Sequence, residues 1–132
     1  MDAGGKMGDY RKLEVWQMAH ALTIEIYQAS SHYPRHEMYG ITAQLRRAAA
    51  SIAANIAEGC GRNTDAELNR SVRIALGSAA EVDYFLLLSR DLRMLAEEDY
   101  QRLRVLTERI RSMLGAFHHA LSTASRSSFC SG

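Results

Sequence analysis

The chain has 132 residues, about the size of one domain, and 47% of them are hydrophobic, which excludes a largely disordered chain. Sixteen basic and fifteen acidic residues give a net charge of +1, so bulk charge argues neither for nor against a nucleic-acid partner. The first residues lack a hydrophobic signal region, and no apolar run reaches the roughly 20 residues of a membrane span. We therefore expect a cytoplasmic protein without a membrane partner.

The two ends of the chain are predicted to lie outside the folded domain. Residues 1–9 are rich in glycine and are expected to form a flexible lead-in. Residues 122–132, "STASRSSFCSG", are small and polar and are expected to form a disordered tail. The folded domain is therefore predicted to span residues 10–121.

The first half of this domain carries the pattern of two helices. The first helix is predicted from about Lys12 to Ser31, and its apolar residues form more than one stripe, so we expect it to bury two faces. The second helix is predicted from about Tyr39 to Glu58. Its main apolar residues recur at helical spacing, at Ile41, Leu45, Ala48, Ile52 and Ile56.

The second half carries two longer helices. The third is predicted to begin with the capping box Thr64-Asp65-Ala66-Glu67 and to end near Leu95. Its predicted contact residues recur at alternating spacings of four and three, as in a coiled coil. They are Leu68, Val72, Ala75, Ala79, Val82, Leu86 and Ser89. The fourth, from about Glu97 to Leu121, is predicted to bury Leu103, Leu106, Ile110, Met113, Phe117 and Leu121. The predicted fold class is all-α, an antiparallel up-down four-helix bundle.

The segment "RRAAASIAANIAEGCGR", residues 46–62, combines a small-residue surface with recurring polar side chains. Its alanines are predicted to pack closely against the third helix, with Ala53 opposite Ser71 and Arg47 opposite Gly77. Polar residues follow one line of the second helix, and we interpret them as a hydrogen-bond network within or between subunits. With one residue of the third helix, the predicted network is Arg47, Ser51, Asn55, Glu58 and Glu81.

Glu58 is the least expected member of this network. It lies in the last turn of its helix, where the helix macrodipole disfavours a carboxylate by roughly 0.3–1 kcal/mol. A compensating cation is therefore predicted, and Arg62, Arg70 and an arginine of a neighbouring chain are the candidates. Gly59 is interpreted as the residue that ends the helix.

Three segments of the chain resemble one protein family. "LEVWQMAHALTIEIY", "YGITAQLRRAAASIAANIAEGCGR" and "ALGSAAEVDYFLLLSRDL" are similar to the four-helix-bundle proteins encoded in intervening sequences of 23S rRNA genes, which are also described as ribosomal-protein-like. The similarity covers about Tyr10 to Leu121. The family's characteristic residues correspond to Trp16, Gln44, Arg46, Arg47, Ser51, Asn55, Glu58, Gly59, Arg62, Gly77 and Glu81.

The resemblance implies a homopentameric ring of four-helix bundles, no established enzymatic activity and no cofactor. RNA or other nucleic-acid binding is the role that it suggests. The chain departs from the family at Ala53, where proline is common, and at Cys60, where an aromatic residue is common. The first departure puts a kink in the second helix in doubt, and the second weakens the expected packing at the following turn. An excess of apolar surface on the first and third helices independently favours a homo-oligomer.

Arginines are the candidate contacts to a nucleic acid, because binding requires clustered cations on one accessible face. The alternative is that they pair with acidic residues of the same chain, for example Arg47 with Glu81. A ring would repeat a modest basic patch several times. The candidate arginines are Arg46, Arg62, Arg70, Arg73, Arg102, Arg104, Arg109 and Arg111.

Other functions remain open from the sequence. A protein-interaction scaffold, such as an accessory subunit of a nucleic-acid enzyme, cannot be separated from a nucleic-acid binder. A more remote alternative is an RNA nuclease, in which Arg111 would hold a phosphate and His118 would act as general acid or base. No metal site is predicted, since His32 and His36 lie on either side of Pro34 and no Glu-x-x-His pair is present.

Overall fold

The computed structural model describes residues 8–123. Four α-helices are found there: α1 spans Glu14–Ser30, α2 Ile41–Cys60, α3 Asp65–Asp91 and α4 Glu97–Thr123. Short 3-10 turns at Tyr10–Lys12 and Arg35–Glu37 precede α1 and α2. No strand occurs in this described part of the chain, and the predicted all-α class is confirmed.

The helices pack in sequential order around one core. α1 contacts α2, α2 contacts α3, α3 contacts α4, and α4 returns to α1. Cross-contacts show that neighbours run in opposite directions, since Thr23 Oγ1 of α1 donates to Ala49 O of α2 while Arg46, earlier in α2, bonds to Ser30, later in α1. This arrangement is an up-down four-helix bundle.

The predicted core positions of α2 and α3 are buried, whereas those of α4 are only partly correct. Leu106, Met113 and Phe117 are half-buried, and the α4 positions facing the core also include Thr107 and Leu114. A polar Thr107 is tolerated at 0% exposure because its hydroxyl donates to Leu103 O at 2.8 Å within the same helix. The stripe predicted from hydrophobicity alone is therefore rotated slightly around α4 relative to the buried stripe.

Two helix ends differ from the prediction. α3 ends at Asp91 rather than near Leu95, because Arg93 adopts a left-handed conformation with φ 63° and Met94 N donates to Ser89 O at 2.9 Å. α4 continues to Thr123, two residues into the predicted tail. The remainder of that tail, 124–132, and residues 1–7 of the predicted lead-in lie outside the described residues.

Gly59 lies inside α2 rather than at its end, which corrects its interpretation as a cap. The helix ends at Cys60, and Gly61 follows with φ −92°, so no left-handed residue terminates it. A Cβ added at Gly59 would lie 2.9 Å from Leu68 Cδ1 and 3.1 Å from Ser71 Cβ, so a side chain here would force Leu68 and Ser71 to shift where α3 approaches closely. Ser71 thus faces Gly59 and not Ala53, and the predicted α2–α3 register was wrong.

Within a single chain, α1 buries one stripe rather than two. Val15, Ala19, Leu22 and Ile26 point into the core. Ile24, by contrast, is 46% exposed on the outer side of the helix. Apolar surface at Ile24 therefore remains accessible in the single chain.

Tyr33, in the connection between α1 and α2, is buried at 7% exposure, and its hydroxyl makes no hydrogen bond of normal geometry within the described residues. Burial raises the pKa of the Tyr33 phenol, and the nearby Ser89 hydroxyl partly offsets that rise. The folded state therefore favours the neutral phenol.

Replacing Tyr33 by phenylalanine is expected to leave stability at pH 7 unchanged or raised by up to about 1 kcal/mol, because an unpartnered buried hydroxyl is removed. A raised folded-state pKa contributes stability that is complete below the unfolded pKa of about 10 and is lost as pH rises above it. Urea unfolding should accordingly show a smaller loss of stability above that pH in Tyr33→Phe than in wild type. An identical alkaline loss in both proteins would contradict the burial of the phenol.

Candidate functional site

The polar residues of α2 meet α3 through a pair of serine hydroxyls. Ser78 Oγ donates to Ser51 Oγ at 2.8 Å, across the close contact between the two helices. Asn55 Nδ2 donates to Ser51 O at 2.8 Å and to Ser51 Oγ at 3.0 Å. Ser51 and Asn55 are half-buried and Ser78 is buried, so this cluster lies at the edge of the helix contact. Sequence reasoning missed Ser78, whose only signal is a polar residue within the small-residue run "GSAA".

The remaining network residues form separate local contacts. Arg47 Nη1 donates to Gln44 Oε1 at 3.0 Å, one turn earlier on the same helix. Glu81 is exposed, and no ion pair joins it to Arg47 within residues 8–123. The predicted Arg47–Glu81 pair is not formed in this part of the chain, where the partner of Arg47 is Gln44. A single continuous network does not exist within this part of the chain.

Glu58 has the cation that its position requires. The Arg62 guanidinium bonds to Glu58 Oε2, four residues earlier in the chain, and both side chains are partly exposed. This arrangement compensates the carboxylate at the negative end of α2. Arg62 was one of the predicted candidates for this role.

Arg46 is held against the end of α1 by neutral groups. Its Nε donates to Ser30 Oγ at 2.7 Å and its Nη2 to Tyr27 O at 3.2 Å. The guanidinium carbon also lies 4.6 Å from the centroid of the Tyr27 ring, within cation–π range. Arg46 therefore ties α2 to the last turn of α1 without a carboxylate partner.

Two further candidate arginines are paired with acids. Arg102 donates to Asp99 and to Glu25 of α1, both at 2.8 Å, and these hydrogen bonds raise the pKa of Arg102. Arg111 Nη1 lies 3.8 Å from Asp83 Oδ2 on α3 and 3.6 Å from Glu108 Oε1. These arginines serve contacts between or along helices.

Besides Arg46, four candidate arginines have no acidic partner within residues 8–123. Arg70, Arg73 and Arg109 are exposed, and Arg104 is half-buried with one hydrogen bond to Gln101 Oε1 at 3.4 Å. Arg70 and Arg73 are one turn apart on α3, so their side chains are neighbours. Arg104 and Arg109 line one shallow concavity on α4 together with Glu108, with which neither forms an ion pair.

The structure offers little support for the nuclease alternative. Arg111 and His118 lie two turns apart on α4, about 10 Å along the helix axis. His118 Nδ1 is 2.7 Å from Asn69 Oδ1, and Arg111 is directed at Asp83 and Glu108. The two side chains are thus each engaged with a different partner rather than facing a common group.

Neither a membrane-spanning helix nor a metal-binding cluster is found among the described residues. The described residues contain no helix that combines the length and hydropathy needed to cross a membrane. Nor do the side chains of residues 8–123 bring three His, Cys, Asp or Glu residues together in a group that could hold a metal ion.

The fold and these contacts define the protein as an all-α four-helix bundle with a polar α2–α3 contact and arginines on its surface. The chain belongs to the 23S rRNA-intervening sequence protein family, whose model matches residues 11–116. The resemblance inferred from the sequence is therefore confirmed.

A solved structure resembles this bundle. It is a protein with unknown function from the S23 ribosomal protein family of Bacteroides thetaiotaomicron VPI-5482. The two chains are 22% identical, the match covers 79% of this chain and 97% of the other, and the TM-score is 0.72. At this identity the likeness shows the fold alone. No curated protein matches the chain significantly.

Proposed function

We propose that this protein is a non-enzymatic bundle that assembles into a homopentameric ring and binds RNA or another nucleic acid. The observation that carries the proposal is the group of arginines without acidic partners, Arg70 and Arg73 on α3 and Arg104 and Arg109 on α4. Cations that are free of carboxylates can replace the counterions of a phosphate backbone. Arg62, Arg102 and Arg111 are less available for this role because carboxylates already pair with them. Arg46 is less available because Ser30 and the Tyr27 carbonyl hold it.

Assembly into a ring is supported by apolar side chains on the outside of the bundle. Ile24 and Tyr27 of α1 are 46% and 47% exposed, and Ile74 and Tyr84 of α3 are 40% and 55% exposed. Apolar faces on two helices suit a head-to-tail contact, which closes a ring when the rotation between copies is right. Sedimentation equilibrium or native mass spectrometry would measure the number of chains, and a monomer at working concentration would contradict the ring.

The nucleic-acid proposal is tested with a double variant, Arg70→Gln with Arg73→Gln, in a fluorescence anisotropy titration with structured RNA and duplex DNA. Affinity should fall for all sequences alike, and the slope of log K against log salt should fall by about 2 for each chain in contact. Arg62→Gln is the matched control, since it removes one guanidinium that is already paired with Glu58. Wild-type protein that binds neither nucleic acid at low salt would exclude the proposal.

A protein-interaction scaffold is the second candidate. Met38 and Tyr39, in the connection before α2, are 48% and 93% exposed, and exposed large apolar side chains are typical of protein contacts. A ring that assembles but binds no nucleic acid would favour this candidate.

In that case, replacing Met38 and Tyr39 together by serine should abolish binding of the protein partner and leave the melting temperature of the bundle unchanged.

A further inference from the structure

A small cavity opens between the end of α1 and the start of α2. Its volume is about 90 Å³, and it is lined by Ser30, Ser31, Tyr33, Pro34, Arg35, Met38, Thr42 and Arg46. This is well below the roughly 300–1,000 Å³ of pockets for drug-sized ligands, but it exceeds the roughly 30 Å³ that one water occupies. The cavity therefore has room for a group of a few heavy atoms, such as a single tetrahedral oxyanion.

The wall of the cavity contains one hydroxyl that the chain does not satisfy. Thr42 is 4% exposed, and its hydroxyl makes no hydrogen bond within residues 8–123. The buried Tyr33 hydroxyl lies instead near Ser89, which does not line the cavity. Buried polar groups in native proteins nearly always have a partner, so the Thr42 hydroxyl beside this cavity points to an occupant that supplies a hydrogen bond.

The charge of the wall indicates the kind of occupant. Arg46 is fixed by neutral partners, Ser30 Oγ, Tyr27 O and the Tyr27 ring, so its Nη1 group has no hydrogen bond and no carboxylate neutralises its positive charge. Arg35 adds a second, exposed guanidinium without an ion pair in the described chain. None of the lining residues is acidic. The nearest carboxylate in sequence, Glu37, does not line the cavity and lies instead toward Ile41 N at 3.4 Å and His36 Nε2 at 3.8 Å.

We propose that this cavity is an oxyanion site that takes one phosphate-sized group, held by the guanidinium groups of Arg46 and Arg35 and by the hydroxyl of Thr42. A guanidinium presents paired N–H donors that match the oxygens of phosphate. The group can belong to free phosphate or to a nucleic acid. The site is separate from the arginines of α3 and α4, so this proposal and the nucleic-acid proposal can fail independently.

The test is calorimetric titration of the full chain with inorganic phosphate against a sodium chloride background of equal ionic strength. Thr42→Val removes a hydroxyl that has no partner, and Arg35→Ala removes an exposed side chain, so both variants should fold. Each of these two variants is expected to raise the dissociation constant for phosphate about tenfold, because that is the typical effect of losing one hydrogen bond to a charged group. Lys12→Ala, an exposed cation before the start of α1 and away from the cavity, should bind phosphate as wild type does.

The source of the phosphate is distinguished by competition. An RNA oligonucleotide without terminal phosphates that displaces inorganic phosphate would support the site with the nucleic-acid backbone as its ligand. If the RNA does not displace inorganic phosphate, the result would support the oxyanion site with free phosphate as its ligand. Absence of phosphate binding in wild type, or equal binding by wild type, Thr42→Val and Arg35→Ala, would overturn the proposal and leave water as the occupant.

Discussion

Replacing Gly59 by valine is expected to lower the free energy of unfolding by about 3 kcal/mol. A Cβ at this position already lies 2.9 Å from Leu68 Cδ1 and 3.1 Å from Ser71 Cβ, and valine adds two methyl groups beyond it. Leu68 is 2% exposed and Ser71 is 5% exposed, so both side chains have little free space into which to shift. Urea denaturation, fitted for both midpoint and slope, would measure the change.

Gly115→Ala is the matched control for this experiment. Gly115 also lies inside a helix, but an added Cβ would meet nothing within 4 Å. Alanine is preferred over glycine in a helix by roughly 0.5–1 kcal/mol, so this variant should be slightly more stable than wild type. A Gly59→Val protein that gains stability in the same way would show that α2 and α3 do not approach closely at this point.

Replacing Leu103 by alanine is expected to cost about 3 kcal/mol of unfolding free energy, within the range of buried leucine truncations. Leu103 is 0% exposed in the middle of the bundle, and its removal leaves a cavity bounded by residues that the other helices fix. Thermal unfolding followed by circular dichroism would report a lower melting temperature.

Val105→Ala provides the comparison on the same helix. Val105 is 49% exposed, so its truncation should change the unfolding free energy by less than about 0.5 kcal/mol. A larger loss for Val105 than for Leu103 would mean that α4 presents a different face to the core. A loss for Val105 that appears only at concentrations where chains associate would instead place this residue at a contact between copies.

The course of the helices could be predicted because periodicity and capping are local properties. The Thr64 hydroxyl accepts from Glu67 N at 3.1 Å at the start of α3, as the capping box indicated. The end of α3 could not be predicted, since its left-handed residue is Arg93 and not the glycine that usually marks such a turn. Thr107 was omitted from the predicted core because it is polar. Its burial depends on a hydrogen bond to Leu103 O within α4, which the sequence pattern does not reveal.

The candidate site was less predictable because it depends on which side chains meet across helices. A count outward from the α2–α3 turn assigned Ser71 to Ala53, while the actual neighbour is Gly59, where the absence of a side chain lets the helices approach. The same shift brings Ser78 to Ser51. Arg62 could be predicted as one candidate partner of Glu58 because the two residues are only four positions apart in the chain. Pairs between α1 and α4, such as Glu25 with Arg102, have no local signal.

The order in which the helices contact one another has a consequence for folding. Three of the four helix contacts join consecutive helices, and only the contact between α1 and α4 joins opposite ends of the described chain. Because closing a longer loop costs more entropy, helical hairpins can form before that last contact, and bundles of this kind fold in microseconds to milliseconds. The Glu25–Arg102 ion pair joins α1 to α4, so we expect it to form after the helical hairpins. The contact of the first helix with the last is accordingly expected to be the step that completes the bundle.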